Sequence, residues 1–411
     1  MGLHRFKPMP SGRMGIFWTL SGIKNSAVIE FGCMGHNIYS GGSLRTAGVY
    51  EEKGARLYTT YIDETDIAMG DTRRLEQTIR HVIAQDKPEV IFLQPSAVPE
   101  VVGMDLVAIA KMLQEEFEIP LVPVGRASFA MTQHAGVQEA LRDIVKALPE
   151  DTVRSDVPSY NIIGSCADLY HYGADALEIR RLMQGAFGMN AKCVLSHDCT
   201  VSDIRAMGSA WVNLVIRREG IPAAKVLQKR FGIPYVVGRP YGIQGTSQWL
   251  KRVGEALELA PDPAFIQFEE QQCLDMLDRP LNSLKTTQWS YPEEVTLTLG
   301  GHIDVVEGIA NFVKQELPMD LGICWCDNPD HAAEDVPYFD ESEWSKVVAS
   351  HQKGFLMCSG EALQWAGKNL TLQISNPDIG YRLHPWEAPF VGYHGAVHLV
   401  NLWMNDYVLK H

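Results

Sequence analysis

A cysteine and a histidine stand close together at the end of an apolar strand near the amino terminus. Residues 27–31 form the strand, and Cys33 and His36 follow it in a turn bracketed by Gly32 and Gly35. Thiolate and imidazole are ligands that iron–sulfur chemistry prefers, and glycine lets the backbone adopt positive φ and approach a bulky inorganic group closely. We therefore predict that Cys33 and His36 are metal ligands and that Gly32 and Gly35 shape a cofactor-binding turn.

A structural role is the alternative for these two residues. Cys33 would then be a buried thiol that packs against the turn, and His36 an imidazole satisfied by hydrogen bonds. The chain has eight cysteines but no Cys-x-x-Cys pair, so spacing alone does not choose between the two interpretations.

Two further cysteine groups lie at the ends of predicted strands. Residues 324–326 read Cys-Trp-Cys, with His331 five residues on, but no fourth ligand follows at a convincing spacing. Core thiols are the favoured interpretation there. Cys193, His197 and Cys199 form a comparable group, and we keep Cys199 as a candidate for cofactor binding.

Composition limits the class of protein. The 411 residues exceed the roughly 250–300 that one core organises, so two or three domains are expected. No apolar run approaches the roughly 20 residues that cross a bilayer, and residues 1–7 are not followed by a secretory apolar segment, so we predict a cytoplasmic, non-membrane protein. The net charge of −14, without a basic stripe, argues against nucleic-acid binding.

Strand-length apolar runs alternate with amphipathic helical segments, which is typical of parallel sheets covered by helices. The predicted strand–helix–strand units are 89–93 with 104–116 and 120–124, 160–164 with 176–186 and 191–195, and 294–300 with 305–317 and 321–325. Segments 149–158 and 273–292 are predicted linkers because they are polar or contain proline, and 395–409 is a predicted closing helix. The predicted domains are 1–150, 151–285 and 286–411.

The turns at 32–36, 94–103 and 300–302 all follow predicted strands. Open α/β sheets bind ligands beyond the carboxyl ends of their strands, so a shared cleft is expected there. The alternative is that the glycines only make tight turns. The chain has no Gly-x-x-x-x-Gly-Lys-Ser/Thr motif, so any use of ATP is assigned to a partner.

Five segments carry family signatures: 64–70, 94–105, 230–235, 240–246 and 391–396. They resemble signature turns of the nitrogenase component 1 superfamily, which includes nitrogenase MoFe-protein subunits and the dark-operative protochlorophyllide and chlorophyllide reductases. The resemblance spans nearly the whole chain. It implies an α/β fold with three Rossmann-like domains and parallel sheets.

The resemblance also implies an oxidoreductase with two components, in which an ATP-hydrolysing iron protein passes electrons to an iron–sulfur cluster. In the larger family subunits, cysteines at three sites hold that cluster. Ser11 stands near the first site, Cys33 or His36 at the second, and Ala97 at the third. This pattern implies a 4Fe-4S cluster shared across a subunit interface, with a homologous partner or with a second copy of the chain.

Near the carboxyl terminus, the resemblance places a cofactor-binding histidine close to His384, which is our candidate catalytic residue as an axial ligand or proton donor. A structural hydrogen bond is the alternative role. The family's cofactor cysteine aligns nearer Arg217 than Cys193 or Cys199. We expect Arg217 to line the same cleft, together with His302, Glu361 and His394.

The activity implied is reduction of a small molecule or a tetrapyrrole. A scaffold for metallocofactor assembly and a partner subunit that holds no metal are the alternatives. Whether a second metallocofactor or a tetrapyrrole is bound stays open at this point.

Overall fold

The computed structural model describes residues 10–33, 54–125, 131–366, 370–375 and 388–410. The strands of this part of the chain are β1 (Ile23–Lys24), β2 (Ser26–Phe31), β3 (Arg56–Thr59), β4 (Val90–Pro95), β5 (Leu121–Pro123), β6 (Ser159–Ser165), β7 (Asn190–Ser196), β8 (Cys199–Thr200), β9 (Val212–Val215), β10 (Tyr235–Val237), β11 (Thr296–Gly301), β12 (Asp320–Cys326), β13 (Phe355–Ser359) and β14 (Leu370–Ser375).

Helices alternate with these strands. They are α1 (Gly12–Leu20), α2 (Glu64–Met69), α3 (Arg73–Asp86), α4 (Ala97–Val101), α5 (Leu106–Leu113), α6 (Gln133–Ala147), α7 (Tyr172–Phe187), α8 (Val201–Arg205), α9 (Ile221–Phe231), α10 (Ile243–Leu257), α11 (Pro263–Ser290), α12 (Ile303–Glu316), α13 (Glu341–Ser350), α14 (Gly360–Leu363) and α15 (Gly392–Lys410). Within the described ranges, no helix combines the length and the apolar character needed to span a membrane.

Three four-stranded sheets share one strand order. The orders are β3-β2-β4-β5, β7-β6-β9-β10 and β12-β11-β13-β14. In each sheet the second strand along the chain lies on one side of the first, and the third and fourth lie on the other. The connection that leaves the first strand and the connection that leaves the third strand therefore run to opposite sides of the sheet. Between them, a crevice lies at the carboxyl ends of the two strands, and open α/β sheets bind ligands in such a crevice. We call this crevice the switch point of each sheet.

The first sheet shows why these segments form buried strands. β2 and β4 are buried at every position, and β2 pairs in parallel with both β3 and β4. Strands covered on both faces need nearly continuous apolar sequence, which these segments have. Their side chains form a core with the helices α3 and α5.

The α/β fold with several parallel sheets is confirmed. The predicted strands at 89–93, 160–164, 191–195 and 321–325 correspond to β4, β6, β7 and β12, and the predicted helices at 104–116, 176–186, 305–317 and 395–409 correspond to α5, α7, α12 and α15. Boundaries differ for local reasons. α5 begins at Leu106 because the Asp105 carboxylate accepts the N–H groups of Val107 and Ala108 as an N-cap.

The predicted linker at 273–292 is wrong, since most of it lies within the 28-residue helix α11. Asp262 caps the start of this helix, and Pro280 lies inside it. The segment looked like a linker because most of its side chains face solvent. The buried residues of α11 lie on one narrow stripe along the helix: Glu269, Cys273, Leu277, Leu284 and Thr287.

The chain divides into two compact units. One comprises residues 9–168 and 191–235, and the other comprises residues 1–8, 169–190 and 236–411. Each four-stranded sheet falls within one of the three predicted domains, although the predicted boundary at 285 lies inside α11. The division into three domains stays a prediction.

Helices α1 and α6 approach each other with backbone against backbone. A Cβ atom added to Gly15 would lie 2.1 Å from the carbonyl oxygen of Gln133, and one added to Gly136 would lie 2.0 Å from the carbonyl oxygen of Gly12. Neither neighbour is a flexible side chain that can move away. Glycine at these positions therefore sets the separation of the two helices.

We expect Gly136→Ala to destabilise the protein by about 1–3 kcal/mol, because the new methyl group would push α1 and α6 apart. Gly245→Ala in α10 is the matched control, since an added Cβ there meets nothing closer than 3.9 Å. Urea denaturation followed by circular dichroism measures both. Equal midpoints for the two variants would contradict the inferred helix contact.

Candidate functional site

Cys33 lies at the switch point of the first sheet. Phe31 at the end of β2 pairs with Pro95 at the end of β4, and the Ser96 N–H donates to the Phe31 carbonyl oxygen over 2.9 Å. The turns that begin at Gly32 and Ser96 therefore leave neighbouring strands side by side. The predicted ligand position and Ala97 share one edge of the sheet.

Gly32 is required for close packing. Its N–H donates to Thr60 Oγ1 over 3.0 Å, and its carbonyl oxygen accepts the Ile62 N–H over 3.1 Å. A Cβ atom at this position would lie 2.2 Å from Ser96 Oγ. Gly32 is not among the residues with positive φ, so the expectation of a positive φ is wrong here, whereas the expected close approach is observed.

The Cys33 thiol is partly exposed, and the residue packs against the core of the first sheet. Burial raises its pKa, and the carboxylates of Glu64 and Asp63 raise it further. A free thiolate is therefore disfavoured in this environment. A bound metal cation reverses that preference, because metal binding and thiol deprotonation are coupled.

The element that carries Ser11 is fixed to the same edge. Ser11 precedes α1 and forms a bridge with Thr132. In the first turn of α1, Arg13 Nη1 lies 2.6 Å from Glu30 Oε1 on β2, and the Arg13 carbonyl oxygen accepts Gln94 Nε2 on β4 over 2.8 Å. Both charged side chains are buried. Residue positions 11, 33 and 97 therefore lie on elements that meet at the carboxyl ends of β2 and β4, and of these only Cys33 carries a thiol.

Three predicted site residues lie outside the described part of the chain. They are Gly35 and His36 in the first turn and His384 near the carboxyl terminus. Their roles stay predictions.

Five polar side chains form a buried group at the switch point of the second sheet. Arg217 Nη1 donates to Asp168 Oδ1 over 2.6 Å, and Arg217 Nε donates to Glu219 Oε2 over 2.9 Å. Gln133 Nε2 donates to Asp168 Oδ2 over 2.9 Å, and His134 Nδ1 lies 3.2 Å from Glu219 Oε1. Gln133 and His134 are neighbours at the start of α6, so the chain of contacts closes on itself. We call these residues the Arg217 cluster.

Gly164 provides the space for Arg217. Its φ of 102° lies outside the range that other residues favour, and an added Cβ would lie 2.5 Å from Arg217 Cγ. Burial lowers the pKa of Arg217, but Asp168 and Glu219 outweigh burial and raise the pKa well above its usual value. Burial also raises the pKa of the nearby Cys166 thiol to about 11.

The two other cysteine groups do not bring three potential ligand atoms together within the described residues. Cys199 is buried in β8. The pKa of the Cys193 thiol is raised, chiefly because Cys193 is buried and also because the Cys199 thiol lies beside it. Cys326 donates its thiol to the Asn328 carbonyl oxygen over 3.3 Å. Among the residues that the structure describes, no cysteine belongs to a group of three potential ligand atoms within 4.8 Å. Cofactor binding by Cys199 stays a prediction.

The remaining predicted cleft residues lie in the unit that contains the third sheet. His302 follows β11, is buried, and caps α12 by accepting the Asp304 N–H at Nδ1 over 3.2 Å. His394 is half exposed in α15, with Nδ1 3.1 Å from Glu178 Oε2. Glu361 lies in α14.

The sequence patterns did not single out Arg13, Glu30, Asp168 or Glu219. For the three acidic residues the available signal was a charge inside or shortly after a strongly apolar strand, whereas Arg13 lies in α1. Which of them meet depends on strand order, and that order is not visible in the sequence.

Comparisons with known proteins identify relatives across the chain. The family model for nitrogenase component 1 type oxidoreductases matches residues 11–407. A light-independent protochlorophyllide reductase subunit from Heliobacterium modesticaldum is 29% identical over 195 residues, which cover 47% of this chain and 37% of that protein. The protein of the same name from Leptolyngbya boryana is 23% identical over 431 residues, covering 96% of this chain and 82% of that protein.

A second kind of relative has a different printed role. The nitrogenase iron-molybdenum cofactor biosynthesis protein NifE of Bradyrhizobium diazoefficiens is 28% identical over 213 residues, covering 50% of this chain and 38% of that protein. In two of these three matches, the chain spans well under two thirds of the relative's length. A solved structure of nitrogenase Cp1 at pH 6.5 superimposes with a TM-score of 0.78 at 18% identity, covering 100% of this chain and 95% of that chain, which shows the shared fold.

The buried pair of Arg13 and Glu30 generates a stability prediction. We expect Arg13→Met to destabilise the protein by about 3–5 kcal/mol, because it leaves the Glu30 carboxylate buried without a cation. The double variant Arg13→Met/Glu30→Leu should recover much of that loss. Urea denaturation measures each free energy of unfolding.

Arg73→Met provides the control, because the Arg73 side chain is exposed and an exposed ion pair such as the one with Asp71 contributes little to stability. An Arg13→Met variant no less stable than Arg73→Met would show that the buried pair does not anchor α1.

Proposed function

Because the chain belongs to the nitrogenase component 1 type oxidoreductase family, we propose that it is a subunit of a two-component reductase. An ATP-dependent iron protein supplies low-potential electrons, and an iron–sulfur cluster at a subunit interface receives them. The substrate is a small molecule or a tetrapyrrole. The relatives that are named as subunits of light-independent protochlorophyllide reductase support the reductase and its substrate class.

The observation that carries the proposal is the position of the Cys33 thiol. It lies at a switch point, partly exposed, directly after Gly32, whose backbone is hydrogen-bonded to Thr60 and Ile62. A 4Fe-4S cluster normally takes four ligands. Among the described residues, this chain offers one thiol at that edge, with Ser11 and Ala97 at the flanking positions, so these residues alone do not complete a cluster.

A second polypeptide must therefore complete the site. It is either a homologous subunit with three thiolates or a second copy that adds its own Cys33 and His36. The bound cluster would supply single low-potential electrons. The residues of this chain would hold one corner of the cluster, and Gly32, which precedes Cys33, packs closely against Ser96.

Exposed apolar side chains on the segments that follow β3 and β4, the two neighbours of β2, support a covering partner. Met69 at the end of α2 is 78% exposed and Val101 at the end of α4 is 69% exposed, while Tyr61 and Val102 are each about half exposed. α2 and α4 follow β3 and β4, which flank β2. Apolar groups exposed together commonly mark protein interfaces. We call Tyr61, Met69, Val101 and Val102 the Cys33 surface.

A metallocofactor-assembly scaffold is the second candidate function. The similarity to NifE over half of this chain favours it, since that relative is named as a cofactor biosynthesis protein. A partner subunit that holds no metal is the third candidate. The three candidates differ in whether the assembly contains iron, whether it keeps that iron, and whether it catalyses reduction of a substrate.

We expect anaerobically purified wild-type assembly to contain iron and acid-labile sulfide and to give a reduced-cluster EPR signal after dithionite. Cys33→Ser should remove most of the signal and much of the iron, because the thiolate corner of the cluster is lost. Cys324→Ser is the control, since Cys324 is also a partly exposed free cysteine.

The outcomes separate the candidates. Iron and signal unchanged in Cys33→Ser would reject Cys33 as a ligand, and iron-free wild-type assembly would favour the metal-free partner. Transfer of the cluster to an acceptor protein, without ATP-dependent substrate reduction when an iron protein is added, would favour the scaffold.

The Cys33 surface generates a separate prediction about assembly. Val101→Glu should shift the protein from its assembled form toward a single chain, because a charge would be buried in the interface, while thermal stability of the chain itself changes little. Native mass spectrometry measures the shift. Val153→Glu is the control, since Val153 is also strongly exposed and lies outside the first sheet and its helices. Equal effects of the two variants would exclude the Cys33 surface as the interface.

A further inference from the structure

A cleft of about 520 Å³ lies at the edge of the second sheet opposite to its switch point. Residues from three segments line it: 151–154 before β6, 208–211 before β9 and 230–234 before β10. β6 and β9 pair in parallel, so both strands start at this edge, whereas the Arg217 cluster follows their ends. All three segments belong to the same compact unit of the chain. Clefts of roughly 300–1,000 Å³ are typical of small-molecule sites.

The first of these segments belongs to the predicted linker at 149–158. The linker has no regular secondary structure, but hydrogen bonds hold it against α8 and the turn that follows α8. The Glu150 N–H donates to the Arg205 carbonyl oxygen over 3.0 Å, and the Ser155 N–H donates to the Ser209 carbonyl oxygen over 2.9 Å. The linker therefore forms a wall of the cleft.

A stacked pair of side chains forms the cationic part of the cleft. The guanidinium carbon of Arg154 lies over the Trp211 ring, 4.0 Å from its centre. Trp211 is fixed by two hydrogen bonds of 2.8 Å, in which its Nε1 donates to the Ser155 carbonyl oxygen and its backbone N–H donates to the Ser159 carbonyl oxygen. An arginine that stacks on an indole keeps its N–H fork available for an acceptor.

The charged side chains of the lining leave one cation uncompensated. Arg230 Nε and Nη2 lie 3.0 and 2.9 Å from Asp151 Oδ1, so these two side chains form an ion pair. Among the residues that the structure describes, Arg154 has no carboxylate partner. Glu150 and Asp156, on the same segment, are not part of the lining. The cleft therefore offers one guanidinium fork to one anionic group.

The segment before β10 adds apolar groups to the lining. They are the side chains of Phe231, Ile233 and Pro234. The Phe231 ring is packed so closely on Gly208 that an added Cβ there would lie 2.8 Å from Phe231 Cε1. An apolar ring of a ligand can contact these side chains while its charged group binds the arginine.

We propose that this cleft binds a small monocarboxylate with a flat apolar body. The carboxylate accepts two hydrogen bonds from the Arg154 guanidinium, because the arginine fork matches carboxylate geometry. The apolar body packs against Phe231 and Pro234. A doubly charged phosphate fits less well, because its second charge would share the cleft with the Asp151 carboxylate. This site does not depend on the reductase function proposed above.

The test uses three naphthalene probes: 2-naphthoate, its neutral analogue 2-naphthamide, and 2-naphthyl phosphate. Ligand-observed NMR titration gives Kd for the anaerobic wild-type assembly and for Arg154→Gln. The Arg154 side chain is exposed, so its replacement should leave the fold intact. Arg80→Gln is the matched control, because the Arg80 guanidinium also lies over an aromatic ring, 4.9 Å from the centre of Phe117, but outside the cleft.

We expect 2-naphthoate to bind wild-type protein saturably and 2-naphthamide to bind about tenfold more weakly, as expected for a contact that needs a charged acceptor. Arg154→Gln should weaken 2-naphthoate binding by a similar factor and leave 2-naphthamide binding within about twofold. Arg80→Gln should change neither affinity.

Three results would each overturn the proposal: no saturable binding of 2-naphthoate, equal affinity for 2-naphthoate and 2-naphthamide, or equal effects of Arg154→Gln and Arg80→Gln. The phosphate probe tests the choice of anion. We expect 2-naphthyl phosphate to bind more weakly than 2-naphthoate, and binding as tight or tighter would overturn the assignment of a monocarboxylate.

Discussion

Parallel pairing between the first and third strands of each sheet is the constraint on which the rest of the structure depends. It joins β2 to β4, β6 to β9 and β11 to β13. Since the second strand lies on the opposite side, the two connections leave each pair in different directions and open a crevice at the carboxyl edge. The same strand order occurs in all three four-stranded sheets, with different side chains at each carboxyl edge.

The three crevices differ in the polar side chains that lie beside them. In the first sheet, the pair of Arg13 and Glu30 holds the start of α1 against β2, and Cys33 is the thiol at this edge. In the second, Arg217 is clamped by two carboxylates. In the third, His302 serves as a helix cap. The sheets therefore share their topology, and the chemistry at each edge is set by the few residues that follow the strands.

Sequence patterns predicted most of the strands and helices, because buried parallel strands and amphipathic helices leave strong periodic signals. They also placed Cys33 correctly at a strand end. They did not predict that Asp168 meets Arg217, since residues 49 positions apart come together only through strand order. α11 was missed because its exposed polar surface outweighs a narrow buried stripe. The packing of Gly32 against Ser96 depends likewise on a neighbouring strand that sequence alone does not identify.

The fit between Gly164 and Arg217 restricts how this edge can change over evolutionary time. Replacing Arg217 by a small side chain would remove the guanidinium that binds both buried carboxylates and would leave an unfilled space beside Gly164. Replacing Gly164 first would collide with the arginine stem. A descendant with a thiol at position 217 would therefore have to change several positions together. An edge that carries Arg217 and an edge that carries a cysteine there are thus separated by epistasis as well as by sequence distance.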